Sequence, residues 1–299
     1  MPTLVVILGP TGVGKTDLSL QLAEKYGCPI VSADSRQIYS DLPIGTAAPT
    51  QEEQARVKHY FIACKDLRET YSAGQYARDC QELLQELFKT HDRVVMVGGS
   101  MMYIDAVCKG IDDIPEVPEN VRRAVQEEYA SKGLTWLQEQ VQTLDPAYWA
   151  EVDQRNPQRL MHCLEVVLAT GKTYSEFRVS GIGNRKKEKE LGFELEYHMV
   201  TRPRAELYDR INLRVHKMIE AGLLNEARKA FEKVGVSFSE EINTDEMLPN
   251  SLNTVGYKEL LPYFRGEYTL ERAIELIQQN SRHYAKRQLT WWRREGWNI

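Results

Sequence analysis

Short apolar runs in the first 115 residues alternate with a segment of helical periodicity. Residues 4–8, 30–33 and 94–97 are runs of mainly apolar side chains, which are typical of strands buried on both faces of a parallel sheet. Between the second and third runs, apolar residues recur at three- and four-residue spacing and predict an amphipathic helix: Tyr76, Cys80, Leu83, Leu84, Leu87 and Phe88. The alternation predicts an α/β core around a parallel sheet.

The pattern changes near Pro118, where strand signals stop and helical segments follow one another. Three segments have helical periodicity: residues 121–130, 134–144 and 157–170. A glycine-rich, highly charged stretch at 180–189 ends the series. Because such a stretch cannot pack into a core, it predicts a mobile linker. We therefore expect an inserted all-helical module at residues 116–185.

Strand and helix signals resume after this stretch. Residues 195–201 predict a strand, and one apolar stripe after it predicts a long helix: Ile211, Val215, Met218, Ile219, Leu223 and Ala227. A polar loop at 237–250 precedes a last predicted helix. The α/β core is thus predicted to have a first part at 1–115 and a second part at 186–299, with a basic helical C-terminal region.

Length and composition indicate a protein with a packed core and no membrane contact. The chain has 299 residues, of which 42% are hydrophobic and 27% charged, which are ordinary values for a domain with a core. No apolar run approaches the ~20 residues of a membrane-spanning helix, and no basic leader precedes the first strand. We therefore expect a cytoplasmic protein. The five cysteines form no C-x-x-C pair, so neither a disulfide framework nor a zinc site is indicated.

Charge is distributed unevenly along the chain. The net charge is -5, yet the last 18 residues contain five basic residues, one acidic residue and three of the five tryptophans. Interleaved basic and aromatic side chains are typical of nucleic-acid surfaces. The alternative is an amphipathic helix whose tryptophans anchor it to the core. Composition alone favours this alternative slightly.

A glycine-rich sequence after the first strand carries the clearest chemical signal. In such a loop, backbone N–H groups and a helix N-terminus bind phosphate oxygens, the lysine neutralises the terminal phosphate, and the last hydroxyl binds Mg²⁺. The alternative is a glycine-rich turn with a surface lysine, but a buried strand before the sequence and a predicted helix at 17–26 after it favour the nucleotide-binding loop that holds ATP in many proteins. The residues match G-x-x-x-x-G-K-[ST]: Gly9, Pro10, Thr11, Gly12, Val13, Gly14, Lys15 and Thr16.

Asp34 directly follows the second predicted strand. Because open α/β sheets bind ligands at the carboxyl ends of their strands, we expect Asp34 to lie beside the loop. Its carboxylate could hold magnesium through water or act as a general base. The alternative is an aspartate that only forms a turn. The neighbouring phosphate-binding loop favours a functional role.

Seven separated segments, taken in order, resemble one protein family. They are Gly-Pro-Thr-Gly-Val-Gly-Lys-Thr at 9–16, Asp-Ser-Arg-Gln-Ile-Tyr at 34–39, Ile-Gly-Thr-Ala at 44–47, Tyr-Ser-Ala at 71–73, Val-Gly-Gly-Ser at 97–100, Asn-Pro-Gln-Arg-Leu at 156–160 and Val-Gly-Tyr-Lys at 255–258. This series closely resembles the tRNA dimethylallyltransferases, also called tRNA isopentenyltransferases. The resemblance covers nearly the whole chain and implies a P-loop NTPase-like core with the helical module inserted.

The resemblance implies transfer of a dimethylallyl group from dimethylallyl diphosphate to the exocyclic amine of the adenine 3′ of the anticodon in tRNA. It implies that the loop and Mg²⁺ bind the diphosphate, and that Asp34 takes the amine proton. Thr11 would be a donor-site hydroxyl, Lys15 would stabilise the departing diphosphate, and Arg210 would be a second diphosphate ligand. The implied tRNA contacts are Asp34, Ser35, Arg36, Gln37, Ser100, Arg122, Gln158, Arg159, Leu160, Met161, His162, Asn253, Thr254, Val255, Gly256, Tyr257 and Lys258.

The chain departs from the family pattern at a few positions. Ser100 stands where threonine is common and keeps the hydroxyl, whereas Ala48 stands where lysine is common. Asn253 and Thr254 stand where related sequences often have a basic residue. No Cys/His finger follows the core, which favours a bacterial-type enzyme, and we expect a monomer.

Two other classes of function, and a variant of the first, compete with tRNA prenylation. They are a P-loop kinase of a small metabolite, a non-catalytic nucleotide-dependent RNA-binding module, and a prenyltransferase acting on free adenine nucleotides. The helical insertion and the basic C-terminus favour a macromolecular substrate. Asp34 beside an intact loop favours an enzyme.

Overall fold

The computed structural model has a central sheet of five parallel strands and describes residues 1–112, 114–178, 191–238, 248–294 and 296–297. In chain order the strands are β1 Thr3–Leu8, β2 Ile30–Ser32, β3 His59–Tyr60, β4 Arg93–Val97 and β5 Glu194–Met199. Across the sheet their order is β3-β2-β4-β1-β5, and each neighbouring pair is parallel. This sheet confirms the predicted α/β fold. The predicted linker at 180–189 and most of the predicted polar loop at 237–250 lie outside the described residues.

Helices make up most of the rest of the described chain. None of them has the length and apolar character that crossing a membrane requires. Their bounds are α1 Lys15–Tyr26, α2 Gln51–Arg56, α3 Ala73–Leu87, α4 Met101–Cys108, α5 Glu119–Leu144, α6 Pro146–Glu151, α7 Pro157–Thr170, α8 Tyr174–Phe177, α9 Arg204–Glu220, α10 Leu223–Val234, α11 Leu260–Phe264 and α12 Leu270–Arg294.

The chain divides into two compact units. The first unit consists of Met1–Cys108 together with Glu190–Ile299, and the second of Lys109–Lys189. In its described residues the second unit contains helices α5 to α8 and no strand. The sequence prediction placed the helical insertion at 116–185, within these bounds.

Strand β1 shows why the first apolar run has no polar interruption. It pairs with β4 on one side and β5 on the other, so its residues 4–8 are at most 1% exposed. Leu4 and Val6 pack in one hydrophobic cluster with residues of α3 and α4, whereas Val5 and Ile7 pack in another with residues of α1. Because successive side chains point to opposite faces of a strand, a strand covered on both faces needs apolar residues at every position.

Two glycines correct the predicted helix boundaries. The single long helix predicted across residues 211–227 is wrong, because α9 ends at Glu220 and α10 begins at Leu223. Gly222 between them has φ 103, a left-handed conformation that glycine adopts without steric cost. Conversely, the two helices predicted at 121–130 and 134–144 lie within α5, which is interrupted at Gly133 (φ 74, ψ -171).

The C-terminal tryptophans anchor α12 to the first unit. Trp292 is 3% exposed and belongs to the same hydrophobic cluster as β1 and β4. The Trp291 indole N–H donates to a carboxylate oxygen of Asp105 at 2.9 Å, and Trp297 packs edge-on against Tyr197. Internal packing, the alternative weighed for the tryptophans in the sequence, is therefore confirmed for these three side chains.

Candidate functional site

The glycine-rich loop at residues 9–16 connects the end of β1 to the start of α1. Gly9 lies so close to the chain after β5 that an added Cβ would come within 2.5 Å of the Val200 carbonyl oxygen. Val13 is buried against α9 and α12 and fixes the loop to the core. The Lys15 ammonium donates to the carbonyl oxygens of Gly9 and its neighbour at 2.8 Å each. The loop backbone thus wraps around this ammonium group.

Three arginines from the chain after β5 donate to three consecutive residues of this loop. Donor first, the pairs are Arg214 Nη2 with Thr11 Oγ1 (2.7 Å), Arg210 Nε with Gly12 O (2.9 Å) and Arg202 Nε with Val13 O (2.8 Å). Arg210 was predicted as a diphosphate ligand, but its Nε is used on the loop backbone. The sequence-based prediction missed Arg214, although the four-residue spacing places it on the same face of α9 as Arg210.

Two cations, Lys15 of the loop and Arg214 of α9, lie close to each other and to the Asp34 carboxylate. Burial, and then the positive charge of Arg214, lower the pKa of Lys15 to about 7, while Asp34 opposes the decrease. Burial also lowers the pKa of Arg214, and Asp34 again opposes it. Within the described part of the chain, the buried Arg214 Nε has no hydrogen-bond partner. An anion at this position would stabilise the charged form of Lys15 and give the arginine an acceptor.

Asp34 lies two residues beyond the end of β2, and the backbone holds its carboxylate. Its Oδ1 accepts the N–H groups of Arg36 at 2.9 Å and Gln37 at 3.3 Å, the local bonding of an Asx turn. Its Oδ2 faces Gly99, because a Cβ added there would lie 3.0 Å from that oxygen. One carboxylate oxygen is therefore fixed by the turn, while the other is directed at the neighbouring loop.

Two serines join the Asp34 turn to the loop after β4. The Ser35 N–H donates to Ser100 Oγ at 2.8 Å, and the Ser100 hydroxyl donates to Ser35 Oγ at 2.9 Å. Both residues were predicted to contact tRNA, and here each hydroxyl has a protein partner. The pair sets the separation of these two loops at the carboxyl ends of β2 and β4.

Gly98 permits the close approach of these loops, and we expect Gly98→Ala to destabilise the protein by about 1–3 kcal/mol. A Cβ at this position would collide with the backbone carbonyl of Ala33, and backbone cannot rotate away. Gly74→Ala is the matched control, because nothing lies closer than 3.7 Å to an added Cβ in α3. Denaturant unfolding measures both variants. Equal unfolding midpoints for Gly98→Ala and the wild type would contradict the steric argument.

Gln37, a predicted tRNA contact, has its amide group bonded within the protein. Its Nε2 donates to the carbonyl oxygens of Ala47 at 3.0 Å and Thr46 at 3.3 Å. Its Oε1 accepts from the Ser32 hydroxyl at 3.3 Å. Through these bonds, Gln37 connects the Asp34 turn to the Ile-Gly-Thr-Ala segment at 44–47.

The motif around Tyr257 is largely part of the protein interior. The Tyr257 side chain is fully buried, and its hydroxyl donates to the Glu226 carboxylate at 2.6 Å. The same carboxylate accepts the N–H groups of Gly45 and the preceding residue at 2.8 Å each. Tyr257 was predicted as a tRNA contact, but its side chain is buried in the protein, and Val255 and Gly256 also pack inward. The exposed predicted contacts in this segment are Asn253 and Lys258.

The second unit brings together only some of its predicted tRNA contacts. Leu160 and Met161, also predicted as tRNA contacts, belong to its hydrophobic core, with 0% and 6% exposure, so their side chains face the protein interior. Gln158 and Arg159 are exposed on α7. The buried Glu165 carboxylate lies 3.9 Å from Arg122 Nε and 3.7 Å from His162 Nδ1. Arg122 and His162 therefore lie beside one buried carboxylate.

Helix α12 contributes two further residues to the site of the first unit. The Gln288 side chain, 1% exposed, bonds to Thr11 and to Gly99, and the Tyr284 hydroxyl donates to the Gly99 carbonyl. The sequence-based prediction missed both. The sequence pattern of an amphipathic helix does not distinguish Gln288, which bonds to a loop residue 277 positions away, from a glutamine on the solvent-exposed face.

Comparison with known proteins supplies a family for this arrangement. A family model described as "IPP transferase" matches residues 37–295. The chain is 50% identical to tRNA dimethylallyltransferase 2 of Parabacteroides distasonis over 295 residues, covering 99% of this chain and 92% of that relative. It is 49% identical to tRNA dimethylallyltransferase 1 of Bacteroides thetaiotaomicron, covering 99% and 90%.

Solved structures agree with these sequence relatives. A tRNA isopentenylpyrophosphate transferase from Bacillus halodurans superposes with a TM-score of 0.65 at 34% identity, covering 98% of this chain and 87% of that one. A eukaryotic dimethylallyltransferase acting on tRNA gives a TM-score of 0.78 at 25% identity, covering 97% and 70%. Fold and sequence thus indicate the same family along almost the entire chain.

Proposed function

Since the chain belongs to the IPP transferase family, we propose that it transfers a dimethylallyl group from dimethylallyl diphosphate to tRNA in the cytoplasm. The acceptor in this proposal is the exocyclic amine of the adenine 3′-adjacent to the anticodon, and the other product is diphosphate. Relatives of 48–50% identity are named tRNA dimethylallyltransferases, so a kinase or a non-catalytic RNA-binding module is not favoured.

One juxtaposition carries the proposal. Asp34 opposes the lowering of the pKa of both Lys15 and Arg214, so a carboxylate lies near Lys15 of the phosphate-binding loop and near Arg214 of α9, which donates to Thr11 of that loop. Prenyl transfer needs both kinds of group, because negative charge develops on the departing diphosphate while the attacking amine loses a proton. The structure supports this pairing at the carboxyl ends of β1 and β2, where α/β sheets bind ligands.

Departure of the diphosphate from the donor is assisted by the phosphate-binding loop and by Arg214, which donates to Thr11. When the allylic C–O bond breaks, its electron pair stays on the diphosphate, and the allyl carbon becomes positively charged. Lys15 at the loop and the Nε of Arg214, unpartnered among the described residues, are donors in place before that anion forms. Preorganised donors of this kind stabilise the transition state more than the intact substrate. The Thr11 hydroxyl, held by Arg214, orients the same end of the donor.

Mg²⁺ fits this site as a partner of the diphosphate. The ion usually takes one or two protein oxygens together with phosphate oxygens and water, and the exposed Thr16 hydroxyl at the start of α1 offers such an oxygen. The described residues contain no group of three His, Cys, Asp or Glu side chains around a common point, and an ion held chiefly by phosphate oxygens requires none. When bound, Mg²⁺ would neutralise part of the leaving group's charge.

The acceptor half depends on Asp34. The adenine amine is a weak nucleophile because its lone pair is delocalised into the ring. As the new C–N bond forms, the nitrogen becomes acidic, and Asp34 Oδ2 takes its proton. The two N–H bonds to Oδ1 keep the carboxylate oriented without occupying this second oxygen. The adenine leaves its base stack to reach the carboxylate, as bases do in other base-modifying enzymes.

Polar residues of both units that are exposed or partly exposed are the proposed tRNA contacts. In the first unit they are Arg36, Asn253 and Lys258, and in the second unit Arg122, Gln158, Arg159 and His162. Their side chains offer charge or hydrogen bonds to phosphates and bases. A net charge of -5 means that the backbone of RNA is attracted by such local groups rather than by the protein as a whole.

Isotopically labelled dimethylallyl diphosphate tests the function directly. We expect label in an anticodon stem-loop RNA with adenine 3′ of the anticodon, and none in the matched RNA with guanine at that position. Label in free adenosine monophosphate but not in the RNA would favour the nucleotide prenyltransferase. Absence of prenyl transfer combined with phosphoryl transfer from ATP would favour the kinase.

Donor binding should take up a proton at pH 8. With a pKa of about 7, Lys15 is mostly neutral in the ligand-free protein at that pH, and a bound diphosphate favours its charged form. We expect uptake of up to about one proton per donor, measured by titration calorimetry in buffers of different ionisation enthalpy. Lys15→Arg is the control, because a guanidinium stays charged throughout. Equal uptake by this variant and the wild type would contradict the assignment.

A further inference from the structure

Gln288 lies between the two halves of the proposed site. Its Oε1 accepts the Thr11 N–H at 2.7 Å, and its Nε2 donates to the Gly99 carbonyl oxygen at 2.9 Å. Tyr284, one helical turn earlier, donates to the same carbonyl at 2.7 Å. A single side-chain amide thus connects the phosphate-binding loop to the loop that Asp34 Oδ2 faces.

Gly99 brings these groups unusually close together. A Cβ added there would lie 3.0 Å from Asp34 Oδ2 and 3.3 Å from Gln288 Nε2. The Asp34 carboxylate and the Gln288 amide therefore both lie close to the position that a Gly99 side chain would occupy. A shift of Gly99 changes the surroundings of the Asp34 oxygen that takes the proton in the proposed reaction.

The amide of Gln288 is also held firmly. The residue is 1% exposed, and a buried amide that loses a partner costs free energy because no water replaces it. Helix α12 is itself anchored on both sides of Gln288, by Ala285 in the cluster around Val13 and by Trp292 in the main core. The bonds to Thr11 and Gly99 therefore originate from a fixed point.

We propose that Gln288 is a positioning residue that sets the separation between the donor diphosphate at the loop and the base Asp34. This inference rests on the proposed function. Gln288 acts through Thr11 and Gly99 and touches neither substrate. A displacement of reacting groups by about 1 Å can cost about 100-fold in rate. Loss of the Gln288 side chain therefore lowers the rate of the chemical step. Each substrate is bound by its own half of the site, so the KM values change little.

The decisive variant is Gln288→Met, which keeps the length of the side chain and removes both hydrogen bonds. We expect the single-turnover rate constant and kcat to fall about 10- to 100-fold, with both KM values within about threefold of the wild type. Gln278→Met is the matched control on the same helix, because the Gln278 amide bonds to Asn212 and His216 instead, and it should leave the rates unchanged. Single-turnover rate constants do not depend on the fraction of protein that is folded.

A second variant keeps the proposal falsifiable if Gln288→Met does not fold. Tyr284→Phe removes one of the two donors to the Gly99 carbonyl and should lower kcat by about 3- to 10-fold. A folded Gln288→Met with wild-type kcat, or an unchanged kcat in Tyr284→Phe, would overturn the proposal. So would a loss confined to the KM for tRNA, which would make Gln288 an RNA contact. If the wild type itself transfers no prenyl group to tRNA, the proposed function fails instead.

Discussion

Asp34→Asn is expected to lower kcat by about 100-fold or more, the contribution of a general base, while the protein stays folded. An asparagine Oδ1 still accepts the N–H groups of Arg36 and Gln37 that define the turn, so the local structure survives. What is lost is the ability of the second oxygen to take a proton. Both KM values should stay within a few-fold of the wild type, since the variant removes an interaction made in the transition state.

Asp92→Asn is the matched control for this prediction. Asp92 is exposed and directly precedes β4. It therefore lies at the amino ends of the parallel strands, whereas Asp34 lies at their carboxyl ends. The control should retain the kcat of the wild type. Steady-state assays with saturating donor and anticodon stem-loop RNA compare the two variants. A near-normal rate for Asp34→Asn would remove this carboxylate from the mechanism.

Lys15→Ala is expected to abolish detectable transfer, a loss of about 1,000-fold or more for a charged donor to the leaving group. The variant removes a cation around which the loop backbone is wrapped, at the point where we propose that the departing diphosphate accumulates charge. Preorganised charge in a site shielded from water acts more strongly than charge in bulk solvent. Donor binding should weaken as well, because Lys15 also contacts the intact diphosphate in the proposed site.

Lys25→Ala serves as the control, because Lys25 is exposed in the last turn of the same helix. Single-turnover assays with labelled donor measure both variants. If Lys15→Ala retained more than about a tenth of the wild-type rate, the loop would not be the site at which the leaving group is stabilised.

Local patterns in the sequence were enough to predict the scaffold of the site. The buried strands and the glycine-rich loop are encoded by neighbouring residues, because strand burial and phosphate-binding geometry each impose a pattern on a short segment. Asp34 could be placed for the same reason, since a residue just after a parallel strand lies at the edge where ligands bind. Short elements such as β3, with two residues, could not be predicted, because two residues are too few to show a periodic pattern of apolar side chains.

Residues whose roles depend on distant partners could not be predicted in this way. Arg214, Glu226 and Gln288 act by contacts with residues 203, 181 and 277 positions away, and no local pattern encodes such a pairing. Motif resemblance had the opposite weakness at Leu160 and Tyr257. It assigned a whole stretch to tRNA, whereas the fold directs these side chains into hydrophobic cores.

The bond between Thr11 and Gln288 has a consequence for how the protein is made. The amide that accepts the Thr11 N–H lies 277 positions later in the chain. During the synthesis of those positions, the glycine-rich loop has no contact that joins it to Gly99 through Gln288. Pairings of such long sequence separation form late and slowly. The bond forms only when α12 folds back onto the loop after β1, so a chain terminated before Gln288 lacks it.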